Sequence, residues 1–594
     1  MPKPKPDLRL DDIWDDDEID VGTVRTSFSL TNVASALVPD ATPVKGARQH
    51  SAHSKRASLG WGSPSSPSLL LGARKSSLSR SQTLPRTASV RSRRPSILDS
   101  LSVDTTVADK MRRWILGIAV VNFDIDHGPV VDGIYPPLFL YPDEIENIAF
   151  SSFPDSAQFE QGAQAHSFRI REDEAIGNEK RPPTIDGFIY GFAHFSQRKD
   201  ASIKRGYQQR SVVILTHHQY PALFSAVMSL LGPLYEEHGV PMLESACHNI
   251  ATWPPSTPGS TVELGFLGNV ITAQIPRTID EQQALDPSVA ERLVNASLQT
   301  MIPATAGSLL PPAILLFEAS LPHIWSIWEC LVLNEPILLF GTSPAETSQA
   351  VWWLRDLMRP IPLAGDIRPY FTIHDRDHLA LVNKLPPKSG LLLGVTNPFF
   401  ERSCAHWPHI LSLGYMIFIS TRNSIAMHPS KGGSAGIAQA TAGPRPGWKT
   451  KTHKRYVSKD RSLLKQLESA CEKGGEVNLL QASLLLRRHF CTRTTELLLP
   501  LSRYLNTLIP TPAEVASAQS GWSTPYHPPP PLRLKPFNTT HFFASLKAHG
   551  TTLPFRSSGK RVEFYERWLK TPAFGLWLAQ QEEVVIDVLS QAGR

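Results

Sequence analysis

The spacing of apolar and polar positions predicts an α/β unit over residues 111–276. Residues 114–136 read as two strands around a turn, where Gly128 supplies the positive φ of a tight hairpin. A helix should begin near Pro142, because Asp143 and Glu144 suit the positive end of its dipole. Further apolar runs predict three strands and a helix: HSFRIR (166–171), GFIYGFAHFS (187–196), SVVILT (211–216) and YPALFSAVMSLLGPLYEEH (220–238).

A second block, over residues 300–420, alternates short apolar runs with helix-like segments. We read the runs AILLFEA (313–319), PILLFG (336–341) and GLLLGVT (390–396) as strands. Such alternation is typical of βα units around a mainly parallel sheet. Residues 421–452 are rich in Gly, Ala, Ser and Lys and are predicted to be a flexible insertion. Helical periodicity then predicts a helical module over 453–594.

Residues 1–110 have a different composition, rich in Ser, Pro and Arg, with too few spaced apolar residues to favour folding. We predict a disordered basic tail. Ser76, Ser89 and Ser96 each follow arginine at a spacing that suits basophilic kinases, and phosphates there would cancel positive charge. Two interpretations stay open: a solvated tail with no role beyond solubility, or a phosphorylation-controlled patch for anionic lipid.

Charge and cysteine content narrow the classes of function. The chain has 60 Lys and Arg against 54 Asp and Glu, and the whole excess lies in residues 1–98. A folded body without net positive charge argues against nucleic-acid binding. No apolar run reaches the ~18 residues of a membrane span, and the acidic start is unlike a secretory signal, so we expect a soluble protein. Five scattered cysteines favour a reducing, cytoplasmic compartment.

Motifs for bond-making chemistry are weak in this chain. Ser434 lies in a GxSxG pattern, but within a low-complexity segment rather than between a strand and a helix. Cys404, His406 and His409 have a spacing that can hold zinc only if further ligands converge, so incidental histidines are the favoured interpretation. The nearest match to a phosphate-binding loop, at 443–450, contains two prolines and a misplaced Trp448. We therefore predict no catalytic residue, no metal and no cofactor.

Two strings stand out by their aromatic, proline and polar content. RPYFTIHD (368–375) follows Asp366, and GVTNPFF (394–400) follows a predicted strand. Asn397 before Pro398 favours an extended turn at the carboxyl end of that strand, where α/β sheets present binding groups. Taken alone, these strings fit structural turns and binding loops equally well.

Together with other strings, these two resemble the DENN-domain family, and most closely its sixth group. The N-terminal block resembles the upstream, longin-type part through FDIDHGPV (123–130), IYP (134–136), SFPDS (152–156), YGFAHF (190–195) and KRGY (204–207). Three further strings are also similar to the sixth group: WPPSTPG (253–259), HWPHI (406–410) and VEFYERWLKTPAF (562–574). The resemblance runs in order over about 112–594 and does not cover the tail, the insertion or the prolines at 528–531.

This resemblance implies a longin-like module, an α/β central module and a helical downstream module. It also implies guanine nucleotide exchange on a Rab GTPase, most plausibly of the Rab14 type, by a cytoplasmic protein peripherally associated with recycling endosomes. The Rab-contacting or supporting residues would lie in the central strings: Asp366, Arg368, Tyr370, Thr372, His374, Asp375 and Asn397. Arg368 fits a buried ion-pair partner of Asp366 equally well. Arg169, Arg171 and Lys204 are further contact candidates, although a solvated strand face is the favoured interpretation for them.

Two other functions remain open at this stage. A DENN-like scaffold or effector would bind a GTPase without catalysing exchange, and would prefer its GTP-loaded form. A hydrolase built on Ser434 is the least favoured alternative. Exchange makes no covalent bond, so the lack of a convincing nucleophile fits either GTPase-binding function.

Overall fold

The computed structural model describes residues 98, 101–155, 161–173, 181–203, 206–285, 290, 301–414, 444–511, 513–514 and 533–592. The kinase sites Ser76, Ser89 and Ser96, the Ser434 motif and Lys204 lie outside these residues. Within them the protein has a mixed α/β fold with a helical C-terminal region, as predicted.

The first helix corrects the predicted extent of disorder. Helix α1, Thr105–Met111, begins within the stretch that was predicted to be unfolded up to residue 110. The Asp104 carboxylate accepts a hydrogen bond from the Thr106 amide and caps the helix. Met111 and Ala108 are buried, so tertiary packing stabilises a segment too short to reveal itself by periodicity.

The N-terminal sheet is antiparallel throughout, with strand order β2-β1-β5-β4-β3. Its strands are β1 Gly117–Asp124, β2 Gly128–Tyr135, β3 Gly162–Arg171, β4 Phe188–Lys199 and β5 Tyr207–Thr216. Alternate residues enter two different apolar clusters, so both faces are covered: Val212 and Ile214 face one cluster, and Val213 and Leu215 the other. Helices α2 Pro142–Ser151, α3 Pro221–His238 and α4 Pro241–Ala251 accompany this sheet.

The predicted turn and helix start in this unit are confirmed. Gly128 has φ +80° between β1 and β2. Helix α2 begins at Pro142, and the Glu144 carboxylate accepts a hydrogen bond from the Tyr141 amide at 2.9 Å. The strand order places β3 at an edge of the sheet. There it contacts the helix Pro344–Leu357, which belongs to the central part of the chain.

A small sheet, β6 Thr261–Phe266, β7 Asn269–Gln274 and β8 Ile302–Pro303, precedes the central sheet. The central sheet has strand order β10-β11-β9-β12-β13. Strands β10, β11, β9 and β12 pair in parallel, and β13 pairs antiparallel with β12. Its strands and helices are α5 Ile324–Val332, β9 Ile337–Phe340, α6 Pro344–Leu357, β10 Ile367–Arg368, α7 His378–Leu381, β11 Leu392–Val395, α8 Phe399–Ser403, β12 His409–Ser412 and β13 Gly447–Thr450.

One predicted strand is wrong. AILLFEA lies in a 3₁₀ helix, Ala313–His323, which continues directly into α5. Pro312 precedes the helix, and the segment packs against the helical C-terminal region rather than joining a sheet. A short continuous apolar run has the same appearance in a buried strand and in a buried helix, so its pattern could not separate the two.

The C-terminal region is helical, as predicted, with α9 Arg461–Lys473, α10 Glu476–Asn506, α11 Thr539–His549, α12 Ser558–Trp568 and α13 Pro572–Ala592. Helix α10 packs against α6 and so joins this region to the central sheet. None of the helices among the described residues combines the length and apolar character needed to cross a lipid bilayer.

A close approach of two backbones leaves no room for a side chain beside β10. A Cβ on Gly365 would lie 2.1 Å from the Gly390 carbonyl oxygen, whereas one on Gly575 in α13 would meet nothing within 4 Å. We expect Gly365→Ala to lower the free energy of unfolding by about 1–3 kcal/mol through overpacking. Gly575→Ala should instead raise it by up to about 1 kcal/mol, because alanine favours a helix. Denaturant unfolding of both variants measures this, and equal effects would contradict the prediction.

Candidate functional site at the junction of two sheets

An ion-pair cluster joins strand β3 of the N-terminal sheet to strand β10 of the central sheet. The Asp366 Oδ1 accepts hydrogen bonds from Arg169 Nη2 and Arg368 Nε, each at 2.8 Å. Its Oδ2 accepts from Arg368 Nη2 at 3.0 Å and from Arg171 Nη2 at 3.2 Å. We call Arg169, Arg171, Arg368, Asp366 and Asp377 the arginine clasp.

Asp377 and an aromatic ring complete the surroundings of the clasp. Asp377 Oδ2 accepts from Arg171 Nε at 3.0 Å and also from Arg368. The Phe188 ring lies under all three guanidinium groups, which are 3.8–4.9 Å from its centroid. Planar guanidinium groups suit this combination of bidentate pairing and ring contact better than lysine would.

The clasp carboxylates stay ionised because the arginines outweigh burial. Burial alone would raise the pKa of Asp366, but the charges of Arg169 and Arg368 lower it well below the usual range. Burial would likewise raise the pKa of Asp377, but Arg368 and Arg171 lower it below the usual value. The favoured interpretation of Arg169 as part of a solvated strand face is wrong, since its side chain is buried.

Tyr370 makes a second connection between the two sheets. Its hydroxyl donates to the Phe153 carbonyl oxygen at 3.1 Å and accepts from the Asp155 amide at 2.6 Å. The side chain is buried, and burial raises the pKa of the hydroxyl. Tyr370 therefore fixes the end of the α2 region onto the loop that follows β10.

Asn397 holds the neighbouring loop, as predicted for this turn. Its Oδ1 accepts from the Phe399 amide at 2.9 Å, and its Nδ2 donates to Asp155 Oδ2 at 3.1 Å. The first bond shapes the turn between β11 and α8, and the second ties that turn to the N-terminal unit. The loops after β10 and β11 are thus braced at the same edge of the central sheet.

Most of the predicted site residues are buried supports. Arg368, Tyr370, Thr372 and Asp375 are buried, whereas Asp366 and Asn397 are half-buried. His374 is exposed, and its ring stacks on Phe150 with centroids 4.0 Å apart. Five of the seven residues therefore make bracing contacts, whereas the Thr372 hydroxyl accepts from the His374 amide and His374 lies at the surface. Whether any of them contacts a GTPase stays a prediction.

Three exposed apolar residues in the segments that follow β10 and β11 were missed by sequence analysis. Leu379 is 83% exposed, Leu385 69% and Phe399 50%. We call these three residues, with His374, the carboxyl-edge face, because all four lie in the segments that follow β10 and β11. Nothing in the local pattern distinguishes an exposed leucine from a core leucine.

Asp375 gives the brace a distinct pH dependence. Burial raises the pKa of its carboxyl to about 6, although the nearby charge of Arg368 opposes this shift. A raised folded-state pKa makes a stabilising contribution that is full below the unfolded value near 4 and is lost as pH rises through about 6. Asp375→Asn should remove this loss, so its stability relative to the parent protein should rise by on the order of 1–3 kcal/mol between pH 4 and 7. Urea unfolding at both pH values measures it, and a difference independent of pH would contradict it.

Where the structure describes them, the other sequence motifs do not form the sites that their spacing suggests. Cys404 is buried, His406 Nε2 pairs with the Leu385 carbonyl oxygen at 3.0 Å, and His409 pairs with Glu335 and Thr450. These three side chains therefore have separate partners and do not converge as metal ligands. Trp448 and Lys449 lie in strand β13, opposite Leu411 and Ile410, rather than in a phosphate-binding loop.

Comparison with known proteins identifies the class. No protein-family model matches the chain. It is 30% identical to Protein DENND6B of Mus musculus over 495 residues, which cover 80% of each chain. It is also 30% identical to Protein DENND6A of Gallus gallus over 498 residues, again covering 80% of each, and 29% identical to the Protein DENND6 homolog of Dictyostelium discoideum over 560 residues, covering 83% of this chain and 74% of the relative. These matches place the chain among the DENN-domain proteins.

Within that class the relationship is specific, because each of these relatives carries the same group name. The chain belongs to the DENN domain-containing protein 6 (DENND6) family.

Proposed function

We propose that the protein is a guanine nucleotide exchange factor that promotes GDP release from a Rab GTPase. Membership of the DENND6 family over four-fifths of the chain is the observation that carries this proposal. We assign the antiparallel N-terminal sheet to the longin-like module and the β9–β13 sheet to the central DENN module. Exchange needs no nucleophile or cofactor from this chain.

The mechanism follows from linkage between two binding equilibria. A GTPase holds its nucleotide through its own phosphate loop, Mg²⁺ and switch segments. A protein that binds the switches in an open arrangement weakens nucleotide binding by the same factor by which nucleotide weakens its own binding. Such a protein needs a rigid surface that favours one switch conformation.

The carboxyl-edge face is our proposed docking surface for the Rab switches. Its loops are held from behind by Tyr370, Asn397 and the arginine clasp, so they are pre-organised for a partner. Phe399 offers an exposed aromatic ring, a residue type enriched in interface cores, and Leu379 adds exposed apolar area. In this proposal the buried residues of the brace support the surface, and His374 contacts the partner.

The finer proposals concern the client and the membrane. We propose Rab14 as the client and recycling endosomes as the site of action, on the basis of the family resemblance. The basic tail is proposed to attach the protein to anionic lipid, with phosphorylation at Ser76, Ser89 and Ser96 as the release signal. Deleting residues 1–98 should abolish binding to anionic vesicles, and binding that survives the deletion would count against this role.

Release of a fluorescent GDP analogue from a panel of Rab proteins tests the activity directly. We expect the full-length protein to accelerate release, fastest for Rab14, and to bind the nucleotide-free GTPase most tightly. No acceleration across the whole panel would refute exchange activity. Preferential binding to GTP-loaded Rab in that case would identify the scaffold alternative.

Two substitutions test the docking surface itself. Leu379→Ser and Phe399→Ala should each reduce the exchange rate about tenfold, because truncating an interface anchor costs more than about 1 kcal/mol. Val584→Ser is the control, since Val584 is also an exposed apolar residue but lies on α13. Normal exchange by both face variants, or an equal loss in the control, would place the Rab elsewhere.

A further inference from the structure

A buried cluster of three potential metal ligands lies outside the proposed docking surface. Among the described residues, Cys330, Glu335 and His453 place one ligand atom each within 4.8 Å of the others. Cys330 is in helix α5, Glu335 lies just before β9, and His453 follows β13. Two segments of the chain, the α5–β9 turn and the segment after β13, therefore meet at this point.

The chain conformation explains why the first two residues converge. The Glu335 amide donates to the Cys330 carbonyl oxygen at 2.8 Å, which closes the turn at the end of α5. Asn334 adopts φ +54°, the left-handed conformation that reverses the chain at such a helix end. The turn brings the Glu335 carboxylate back beside the Cys330 thiol.

A buried carboxylate fixes which nitrogen of His453 is available. Glu329 accepts from His453 Nε2 at 2.7 Å and from the Tyr456 and Val457 amides. A carboxylate oxygen accepts this bond, so Nε2 carries the proton, and in the neutral form that binds metals the lone pair lies on Nδ1. This Nδ1 atom has no hydrogen-bond partner although the side chain is fully buried, and it lies 4.0 Å from Glu335 Oε1.

The remaining partners of Glu335 leave room for a ligand. Its Oε2 accepts from His409 Nε2 and its Oε1 from Arg567 Nη2, and the Cys330 thiol also hydrogen-bonds to Glu335, a contact that a bound ion would replace. Burial raises the pKa of the Cys330 thiol, and the charges of Glu335 and Glu329 raise it further.

We propose that Cys330 Sγ, His453 Nδ1 and one oxygen of Glu335 bind a divalent zinc-like ion. A thiolate, an imidazole and a carboxylate are a ligand set that Zn²⁺ accepts, and softer sulfur disfavours Mg²⁺ and Ca²⁺. The Cys330 proton is released to solvent as the thiolate–metal bond forms. Glu329 acts as the outer carboxylate that orients the ligating histidine, a common feature of zinc sites.

The position of the cluster suggests a structural role for the ion. Arg567 of helix α12 contacts both Glu335 and the Tyr456 hydroxyl. The ion would therefore cross-link the α5–β9 turn to the segment after β13, at the place where the C-terminal helices dock. The proposal is independent of the exchange activity. Sequence spacing gave no sign of it, because Cys330 and His453 lie in distant parts of the chain.

Cobalt substitution of the full-length protein tests this site. Protein purified without a metal-affinity step is stripped with chelator and titrated with Co²⁺. We expect about one equivalent to bind and to produce a thiolate-to-cobalt charge-transfer band. Cys330→Ser should abolish the band, whereas Cys404→Ser, which removes another buried thiol, should retain it. Absence of the band in the parent protein, or its survival in Cys330→Ser, would overturn the proposal.

X-ray absorption of the parent protein loaded with Zn²⁺ covers the case in which Cys330→Ser does not fold. A first shell with one sulfur and one imidazole supports the site. A shell with only oxygen and nitrogen, or with several sulfurs, would overturn it.

Discussion

Replacing Arg368 with alanine should lower the free energy of unfolding by about 3–5 kcal/mol. The side chain is fully buried and pairs with Asp366, Asp377 and, at 3.6 Å, with Asp375. Its removal leaves buried carboxylates with too little compensating charge, and breaking a buried pair from one side costs this much. Denaturant unfolding of the full-length protein, with the denaturant dependence checked for each variant, measures the loss.

Arg376→Ala is the matched control for that experiment. Arg376 is only eight residues away, but it is 28% exposed and makes a single 3.5 Å contact with Asp173. Exposed pairs of this kind contribute about 0–1 kcal/mol. A loss in Arg368→Ala as small as that in the control would mean that Arg169 and Arg171 neutralise the clasp by themselves.

Asp356→Ala should be comparably destabilising, by about 3–5 kcal/mol, at the junction of α6 and α10. The buried Asp356 carboxylate accepts from Arg359 Nη1 at 2.7 Å and from Arg487 Nε at 2.5 Å. Both guanidinium groups are themselves buried, so removing the carboxylate leaves them without their shared counter-ion. Denaturant unfolding at neutral pH gives the magnitude.

Acid provides an internal check on the Asp356 prediction. Burial would raise the pKa of Asp356, but Arg487 and Arg359 lower it below the usual value. A depressed folded-state pKa contributes stability above the unfolded value near 4, and this contribution is lost as pH falls through the folded value. The loss in free energy of unfolding caused by Asp356→Ala should therefore become smaller below about pH 4.

Asp109→Ala is the control, at an exposed residue 3.9 Å from Arg112, and should not measurably change the free energy of unfolding at either pH. A deficit that does not shrink in acid would point to lost packing instead of lost charge pairing.

The sequence correctly predicted those parts of the fold whose conformation is determined by a few neighbouring residues. The hairpin at Gly128, the start of α2 at Pro142 and the turn at Asn397 each need only a few neighbouring residues, and all three are confirmed. The strand assigned to AILLFEA failed because its neighbours in space, α9 and α10, come much later in the chain. Periodicity contains no information about what will cover an apolar segment.

The candidate site shows the same division. The pairing of Asp366 with Arg368 was one of two open interpretations, because the residues are two positions apart. The ion pair between buried Arg169 and Asp366 was missed, because 197 positions separate the two residues and no local pattern marks the pair. The carboxyl-edge face was missed for a different reason. The exposure of a side chain depends on the whole fold, whereas the sequence shows only that the residue is hydrophobic.

The arginine clasp also has a consequence for the order in which the protein is made and folded. Strand β3 leaves the ribosome almost 200 residues before Asp366, the closer of the two carboxylates that pair with Arg169. Until Asp366 is synthesised, the edge of the N-terminal sheet exposes two arginines beside the Phe188 ring. Completion of this edge is therefore a late, long-range event, of the kind that slows folding. A fragment that ends before Asp366 would leave these charged and aromatic groups exposed at the edge of the sheet. The two sheets therefore form one folding unit.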